Sequence, residues 1–171
     1  SSAAAVSTAT PVAWPIWIIS AMAGLDNAWS VAKERAILAG QCLAHVLADR
    51  KSVGQRPVTL IGHSVGAQLI FHALLELHAL KAFHIVQDVV LLGVPVDTSA
   101  SKWSQARAVV SNRLVNCYFK RDWVLAFLYR YLECGLYVAG LGEVNVEGVE
   151  NFDVSPLCVS SHDDYTRHVG E

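Results

Sequence analysis

The stretch Arg56–Ile70, RPVTLIGHSVGAQLI, constrains the fold of this chain more than any other. Pro57 opens a short apolar run, Val58-Thr59-Leu60-Ile61. It is rich in β-branched residues and too short for a typical helix, which predicts a buried strand. Gly62-His63-Ser64-Val65-Gly66 follows at once, and from Ala67 an apolar helical pattern runs through Leu69, Ile70, Ala73, Leu74 and Leu77. Strand, G-x-S-x-G and helix in this order predict a nucleophile elbow, a sharp turn that holds the serine in a strained backbone conformation with its hydroxyl aimed out of the sheet. The flanking glycines are expected because a side chain at either position would strike the neighbouring strand or helix. The N–H of Val65, at the helix start, is the expected donor to a developing oxyanion. The plainer alternative is a tight strand–helix turn whose serine only caps the helix.

A chain of 171 residues is long enough for one domain with a real core. It is 53% hydrophobic and only 16% charged, against roughly 25% charged in an average soluble domain. Such a surface predicts burial against something else: a missing part of the same chain, a partner protein, or a membrane surface. The net charge of −2 carries no nucleic-acid footprint. Cys42, Cys117, Cys134 and Cys158 are scattered, with no C-x-x-C and no metal-ligand spacing, so neither a metal nor another cofactor is expected. They read as reduced core residues of an intracellular protein rather than a secreted disulfide framework. The first residue is Ser1 rather than Met, as in a processed or partial chain, and no secretory signal pattern is present.

In chain order, Ser1–Thr10 is Ser/Ala/Thr-rich and reads as an arm or linker. Pro11–Gly24 is apolar, carries Trp14 and Trp17, and is interrupted by Pro15; it is shorter than the ~20 residues of a membrane span. It reads as a buried segment packing on the sheet, with an interfacial membrane contact or a pocket lid as alternatives. Asp26-Asn27 is an N-cap signal, followed by a helix over Ala28–Arg50. Its apolar face is expected to be Val31, Ala32, Arg35, Leu38, Ala39, Cys42, Leu43, Val46 and Leu47. Further strands are predicted at Val86–Leu92, Leu114–Phe119, Leu136–Ala139 and Val149–Val154, a loop or short helix at Ser99–Ala108, and a strongly apolar helix at Trp123–Leu132. Strands alternating with helices imply an α/β fold with a mostly parallel sheet flanked by helices, and chemistry at the carboxyl ends of its strands.

A serine hydroxyl needs a general base, and the base needs an orienting partner. In α/β-hydrolases the chain order is Ser, then Asp or Glu, then His. After Ser64, Asp122 lies directly beyond the third predicted strand, and His162 lies in the polar loop beyond the last. Asp122 also suits an N-cap for the following helix, a role compatible with the first. Asp97 is the rival acid. His168 and His84 are rival bases, but His84 precedes its strand and no strand precedes His168. His63 is too close to Ser64 to be the expected base and reads as packing beside the elbow.

GHSVGA, VVLLGVPV, LVNCYFKRDWVLAFLYR, YVAGL, GVENFDVS and SSHDDY, in that order, resemble one group of α/β-hydrolases. That group was long filed as a domain of unknown function. It includes the transmembrane and coiled-coil domain-containing hydrolases and a yeast adaptin-interacting lipase-like protein. The resemblance runs from about Trp14 to Tyr165, and the NCYFKRDWVLAFLYR stretch is its most specific part. It implies a Ser–Asp–His triad at Ser64, Asp122 and His162. It also implies upstream strands, a second oxyanion donor and membrane-associated segments that this chain does not include. Residues 11–171 therefore look like the C-terminal portion of an α/β-hydrolase domain, with Ser1–Thr10 as its arm. One departure is Asp163, a carboxylate beside the expected base where the resemblance implies an apolar residue; it would favour the protonated imidazole.

Two functional readings follow. The first is a serine hydrolase acting on an ester or lipid, intracellular and membrane-associated, with 11–24 as the expected contact with a membrane surface. The second is a split or truncated hydrolase-derived module serving as a structural or interaction subunit. In either case the expected partner is the upstream half or another protein chain.

Overall fold

The computed structural model describes residues 16–132, 137–157, His162 and Tyr165. Strands β1 (Val58–His63), β2 (Val86–Leu92), β3 (Leu114–Tyr118) and β4 (Val149–Asp153) form one parallel sheet in the order β1-β2-β3-β4. Helix α1 (Ile16–Ala48) and the short α2 (Arg50–Val53) precede it. Helix α3 (Val65–Ala79) makes the crossover from β1 to β2, and α4 (Ala100–Ala108) the one from β2 to β3. Helix α5 (Trp123–Leu132) and a 3-10 turn at Ala139–Leu141 lie between β3 and β4. This is the predicted α/β architecture. The register Leu60–Val89–Leu114–Val149 places the carboxyl ends of the four strands on one edge.

One face of the sheet is densely covered. Val86, Val89, Leu91 and Leu114 are fully buried there with Phe71, Leu74 and Leu77 of α3 and Trp103 of α4. The rings of Phe71 and Trp103 meet at 4.8 Å. On the other face Val90, Leu92 and Val115 pack against a smaller group, Cys117, Phe119, Val154 and Tyr165. Burial pushes the Cys117 thiol up to about 11, so it stays protonated as a core side chain. Cys42 is exposed, contrary to its expected place in the core, and Cys134 and Cys158 lie outside the described residues.

Helix α1 departs from expectation at both its start and its face. It begins at or before Ile16, not at Ala28, so Asp26 and Asn27 cap nothing. Both are exposed, so a helix with no proline between Ile16 and Ala48 runs through them. The expected buried segment at Pro11–Gly24 is helical from Ile16. Trp14 and the rest of 11–15, and the side chain of Trp17, lie outside what is described. The stripe facing the core is Ala36, Gly40, Ala44 and Leu47, whereas Leu38 and Val46 are 61% and 54% exposed. Small residues win because the helices touch: a Cβ on Gly40 would sit 2.4 Å from the Leu69 carbonyl oxygen of α3. A leucine stripe would force the pair apart.

The strand expected at Leu136–Ala139 is absent among the described residues, of which 137–139 is part. Val138 makes one antiparallel bridge to Asp97, and the chain turns at once. The Ala139 and Gly140 N–H groups donate to Val96 and Val94 carbonyls at 2.9 and 3.0 Å. A Cβ on Gly140 would lie 2.7 Å from the Gly93 carbonyl carbon, so the segment is wedged against the β2–α4 connection, and it is held to the end of β3 through the Asn116 side chain and the Phe119 N–H without pairing as a strand.

Strand β1 is an edge of the described sheet, and Ile61 on it is 56% exposed. An apolar edge is a template for pairing with another chain. Ile61→Lys should raise the concentration at which this chain stays monomeric, at a stability change within about 0.5 kcal/mol. Sedimentation velocity over a concentration series reads the first, and urea unfolding the second. Unchanged self-association would show that the edge is not its cause.

Candidate active site

At the carboxyl end of β1 the backbone reverses through Ser64, at φ 53° and ψ −124°, and enters α3 at Val65. A left-handed φ at a non-glycine residue is strained and persists only where the surroundings enforce it. Two contacts enforce it here. The Ser64 N–H donates to the Leu92 carbonyl at 2.9 Å, and the Ser64 carbonyl accepts from Gln68 N–H at 3.0 Å. Ser64 makes no side-chain capping bond, so its hydroxyl is not spent on the helix. Val65, the first residue of α3, carries one of the N–H groups that a helix start leaves without an intrahelical partner.

The two flanking glycines differ. A Cβ on Gly62 would lie 2.7 Å from Ile70 Cδ1 and 2.9 Å from the backbone of Ala67. A Cβ on Gly66 would meet nothing within 4 Å. The expectation that sterics demand both is therefore corrected. The close approach is between β1 and the first turn of α3, where Gly62 sits, while Gly66 faces open space.

Asp122 follows β3 and is 1% exposed. Its carboxylate does two things at once. Oδ1 accepts the Leu125 N–H at 3.0 Å, capping α5, and Oδ2 lies 2.5 Å from His162 Nδ1. The other ring nitrogen of His162, Nε2, lies 2.7 Å from Ser64 Oγ. Three side chains from the ends of β1, β3 and β4 thus form one hydrogen-bonded line. With Nδ1–H donated to the carboxylate, the Nε2 lone pair faces the serine hydroxyl, the arrangement in which an imidazole can accept its proton.

The imidazole is held from behind by residues that the sequence did not single out for this. His63 Nε2–H donates to the His162 backbone carbonyl at 2.9 Å, and the two rings lie 4.8 Å apart. Tyr165 stands against both, at 5.3 Å from the His63 ring and 6.2 Å from that of His162. Burial, and then the Asp122 charge, push the Tyr165 hydroxyl well above its ordinary range. Gly93 makes room for them, since its Cβ would lie 3.2 Å from Tyr165 and 3.4 Å from His162. The available signals were a glycine directly after a strand and an aromatic residue three positions after the histidine.

The rivals lie elsewhere. Asp97 accepts the Ser99 N–H at 3.0 Å and pairs with Lys102 Nζ at 2.7 Å. Burial opposes its ionisation, but the Lys102 and Ser99 hydrogen bonds and the Lys102 charge outweigh burial and hold its carboxyl below the usual range. His84 is exposed in the turn before β2, at the opposite end of the strands. His168 and Asp163 are outside the described residues. Among the described residues no group of three His, Cys, Asp or Glu side chains is placed to hold a metal.

The chain belongs to the family described as "Protein of unknown function (DUF726)", which it matches over residues 1–171. It is 42% identical over 164 residues to an uncharacterized membrane protein of Caenorhabditis elegans, covering 94% of this chain and 26% of that protein. It is 43% identical over 155 residues to the transmembrane and coiled-coil domain-containing protein STS1 of Oryza sativa subsp. japonica, covering 90% and 23%. To the probable lipase MIL1 of Saccharomyces cerevisiae it is 39% identical over 158 residues, covering 91% and 14%. The chain therefore spans about a quarter or less of these relatives. The family resemblance read from the motifs holds. No solved structure matches.

Gly62→Ala should destabilise the chain by about 1–3 kcal/mol through overpacking. Gly66→Ala should be neutral or stabilising by up to about 1 kcal/mol, since alanine is the better helix former. Urea unfolding of both variants checks this; equal losses would contradict the asymmetry.

Proposed function

We propose that this member of the family is a serine hydrolase that cleaves an ester or lipid. The observation that carries the reading is the placement of Ser64 Oγ at 2.7 Å from one nitrogen of His162 while the other lies 2.5 Å from a buried carboxylate. A serine that served only as a helix cap would have no use for that partner. In this reading the turn at Ser64 is a nucleophile elbow. Ser64 Oγ attacks the acyl carbonyl as its proton passes to His162 Nε2. Asp122 holds the imidazole in the required tautomer and stabilises its positive charge. The Val65 N–H stabilises the oxyanion. Collapse of the tetrahedral intermediate passes the Nε2 proton to the leaving alkoxide and leaves an acyl-Ser64. Water, deprotonated by His162, then releases the acid and restores the serine.

One relative is named as a probable lipase, which supports an ester or lipid as substrate. Relatives are named as membrane proteins, whereas no helix among the described residues is long and apolar enough to cross a membrane. A membrane-surface contact of an intracellular protein, through 11–24, reconciles the two. We read 11–171 as the C-terminal portion of the hydrolase domain, with 1–10 as an arm. A second reading, a structural or interaction module, is favoured by the exposed edge at Ile61 and the exposed Leu38 and Val46 on α1.

Hydrolysis of p-nitrophenyl butyrate separates the two. Ser64→Ala should lower kcat by about 10⁴-fold or more with the fold intact, because losing one hydroxyl at a half-buried turn costs little stability. Asp122→Asn should lower kcat by about 10⁴-fold while keeping an oxygen to cap α5. Undiminished turnover by Ser64→Ala would place the activity elsewhere, and a folded wild-type chain with no turnover would favour the module.

A further inference from the structure

Gln68 lies one helical turn along α3 from Ser64, and its N–H donates to the Ser64 carbonyl at 3.0 Å. The residue is 2% exposed, yet its Oε1 accepts no hydrogen bond among the described residues. Burying a carboxamide oxygen with nothing to accept from is costly, and native proteins rarely do so without a reason. Beside it a cavity of about 220 Å³ opens between α1, α3, α4 and the β2–α4 connection. Lys33 and Tyr129 also line this cavity and have interactions of their own. Neither of them donates to Oε1. The oxygen calls for a donor that enters the cavity from outside.

The lining narrows what that donor can be. A carboxylate or a fully ionised phosphate offers only acceptors and would leave Oε1 as it is. An ammonium group would donate, but the charges here oppose it. The His72 imidazole on the cavity wall is held below its ordinary range, by burial first and then by the Lys102 charge, which outweighs the opposing pull of Asp97. A further cation would meet the same repulsion. Asp97 is in any case paired with Lys102, at 2.7 Å. An uncharged hydroxyl escapes both objections. Ile37 and Phe71 supply apolar surface for the carbons that carry it. The cavity is smaller than the roughly 300–1,000 Å³ of sites for drug-sized ligands, so it suits a short hydroxyalkyl group and not a long acyl chain.

We propose that this cavity takes the alcohol half of the ester cleaved at Ser64, and that this half keeps a free hydroxyl, which donates to Gln68 Oε1. The substrate class is thus an ester of a diol or higher polyol with at least one hydroxyl unacylated. On cleavage the acyl group passes to Ser64 Oγ, the bond to the alkoxy oxygen breaks, and that oxygen takes the proton from His162 Nε2. The link to the ester rests on the hydrolase reading; the hydroxyl site itself does not.

Two esters of near-equal shape test the substrate half: 2-hydroxyethyl butyrate and propyl butyrate, which differ by a hydroxyl in place of a methyl group. The wild-type chain should show a kcat/KM at least about tenfold higher for the hydroxy ester. Gln68→Met should bring the ratio to about one by slowing the hydroxy ester alone. If that variant fails to fold, Ile37→Trp, which fills the cavity from α1, carries the test with the same expected loss of preference. The site itself is tested without turnover, by saturation-transfer NMR titration of the Ser64→Ala chain with 2-butoxyethanol and with its O-methyl ether, which has no donor. Saturable binding at least about tenfold tighter for the alcohol is expected. No saturable binding, or equal binding of the two, would mean that water alone meets Gln68 Oε1 and overturns the site. Turnover of both esters at equal kcat/KM, or a preference that survives both substitutions, overturns the assignment of the alcohol half. Selective binding with no turnover of either ester strikes the hydrolase reading and leaves the site standing.

Discussion

A single buried carboxylate organises the edge of this molecule where Ser64, Asp122 and His162 meet. Asp122 has no access to water, so its charge is tolerable only if both oxygens are engaged. One ties down the first turn of α5 and the other ties down His162. Each attachment is to a different part of the chain, and each supports the other. Capping alone is typically worth about 1 kcal/mol. Removing one partner of a buried charged pair costs about 3–5 kcal/mol because the remaining charge is stranded. The same group that starts a helix therefore fixes the direction of the imidazole, and fold and site are hard to separate here.

Close backbone contacts complete the frame. Gly62 lets β1 and α3 touch at the Ser64 turn, Gly140 lets the β3–β4 connection slide beneath Gly93 and Val94, and Gly93 clears space for His162 and Tyr165. Asn116, fully buried on β3, anchors the same connection: its Nδ2 lies 3.0–3.1 Å from the Ala139 and Gly142 carbonyls and from Asn151 Oδ1. Asn151 Oδ1 in turn accepts the Val144 N–H at 2.8 Å. The strand ends that carry Ser64 and Asp122 are thus braced by hydrogen bonds from the neighbouring segments, leaving little freedom in the distance between them.

The legible parts of this fold were the ones set by short-range pattern. β2 occupies the predicted Val86–Leu92, and β3 and β4 end one residue earlier than read, because apolar β-branched runs between turn residues admit few alternatives. The order of Ser64, Asp122 and His162 at strand ends was also readable, and the three side chains do meet. What failed depended on packing between elements. Asp26-Asn27 has the chemistry of a cap, but a cap acts only where the helix begins. Of the expected face of α1, Leu47 is buried and Leu43 packs on the core, but Val31, Leu38 and Val46 are exposed, and the contact with α3 at Gly40 admits only a small residue. The G-x-S-x-G pattern could not say which glycine is close-packed. The His63 bond to the His162 carbonyl joins residues 99 positions apart, which no local pattern encodes.

The central claim is that the strained turn and the Asp122–His162 line together make Ser64 a nucleophile. The most direct measurement treats the folded chain with a fluorophosphonate probe and maps the adduct by tandem mass spectrometry. The account predicts a single phosphonyl adduct on Ser64. An unlabelled Ser64 in a folded chain, or labelling at another serine, would contradict it.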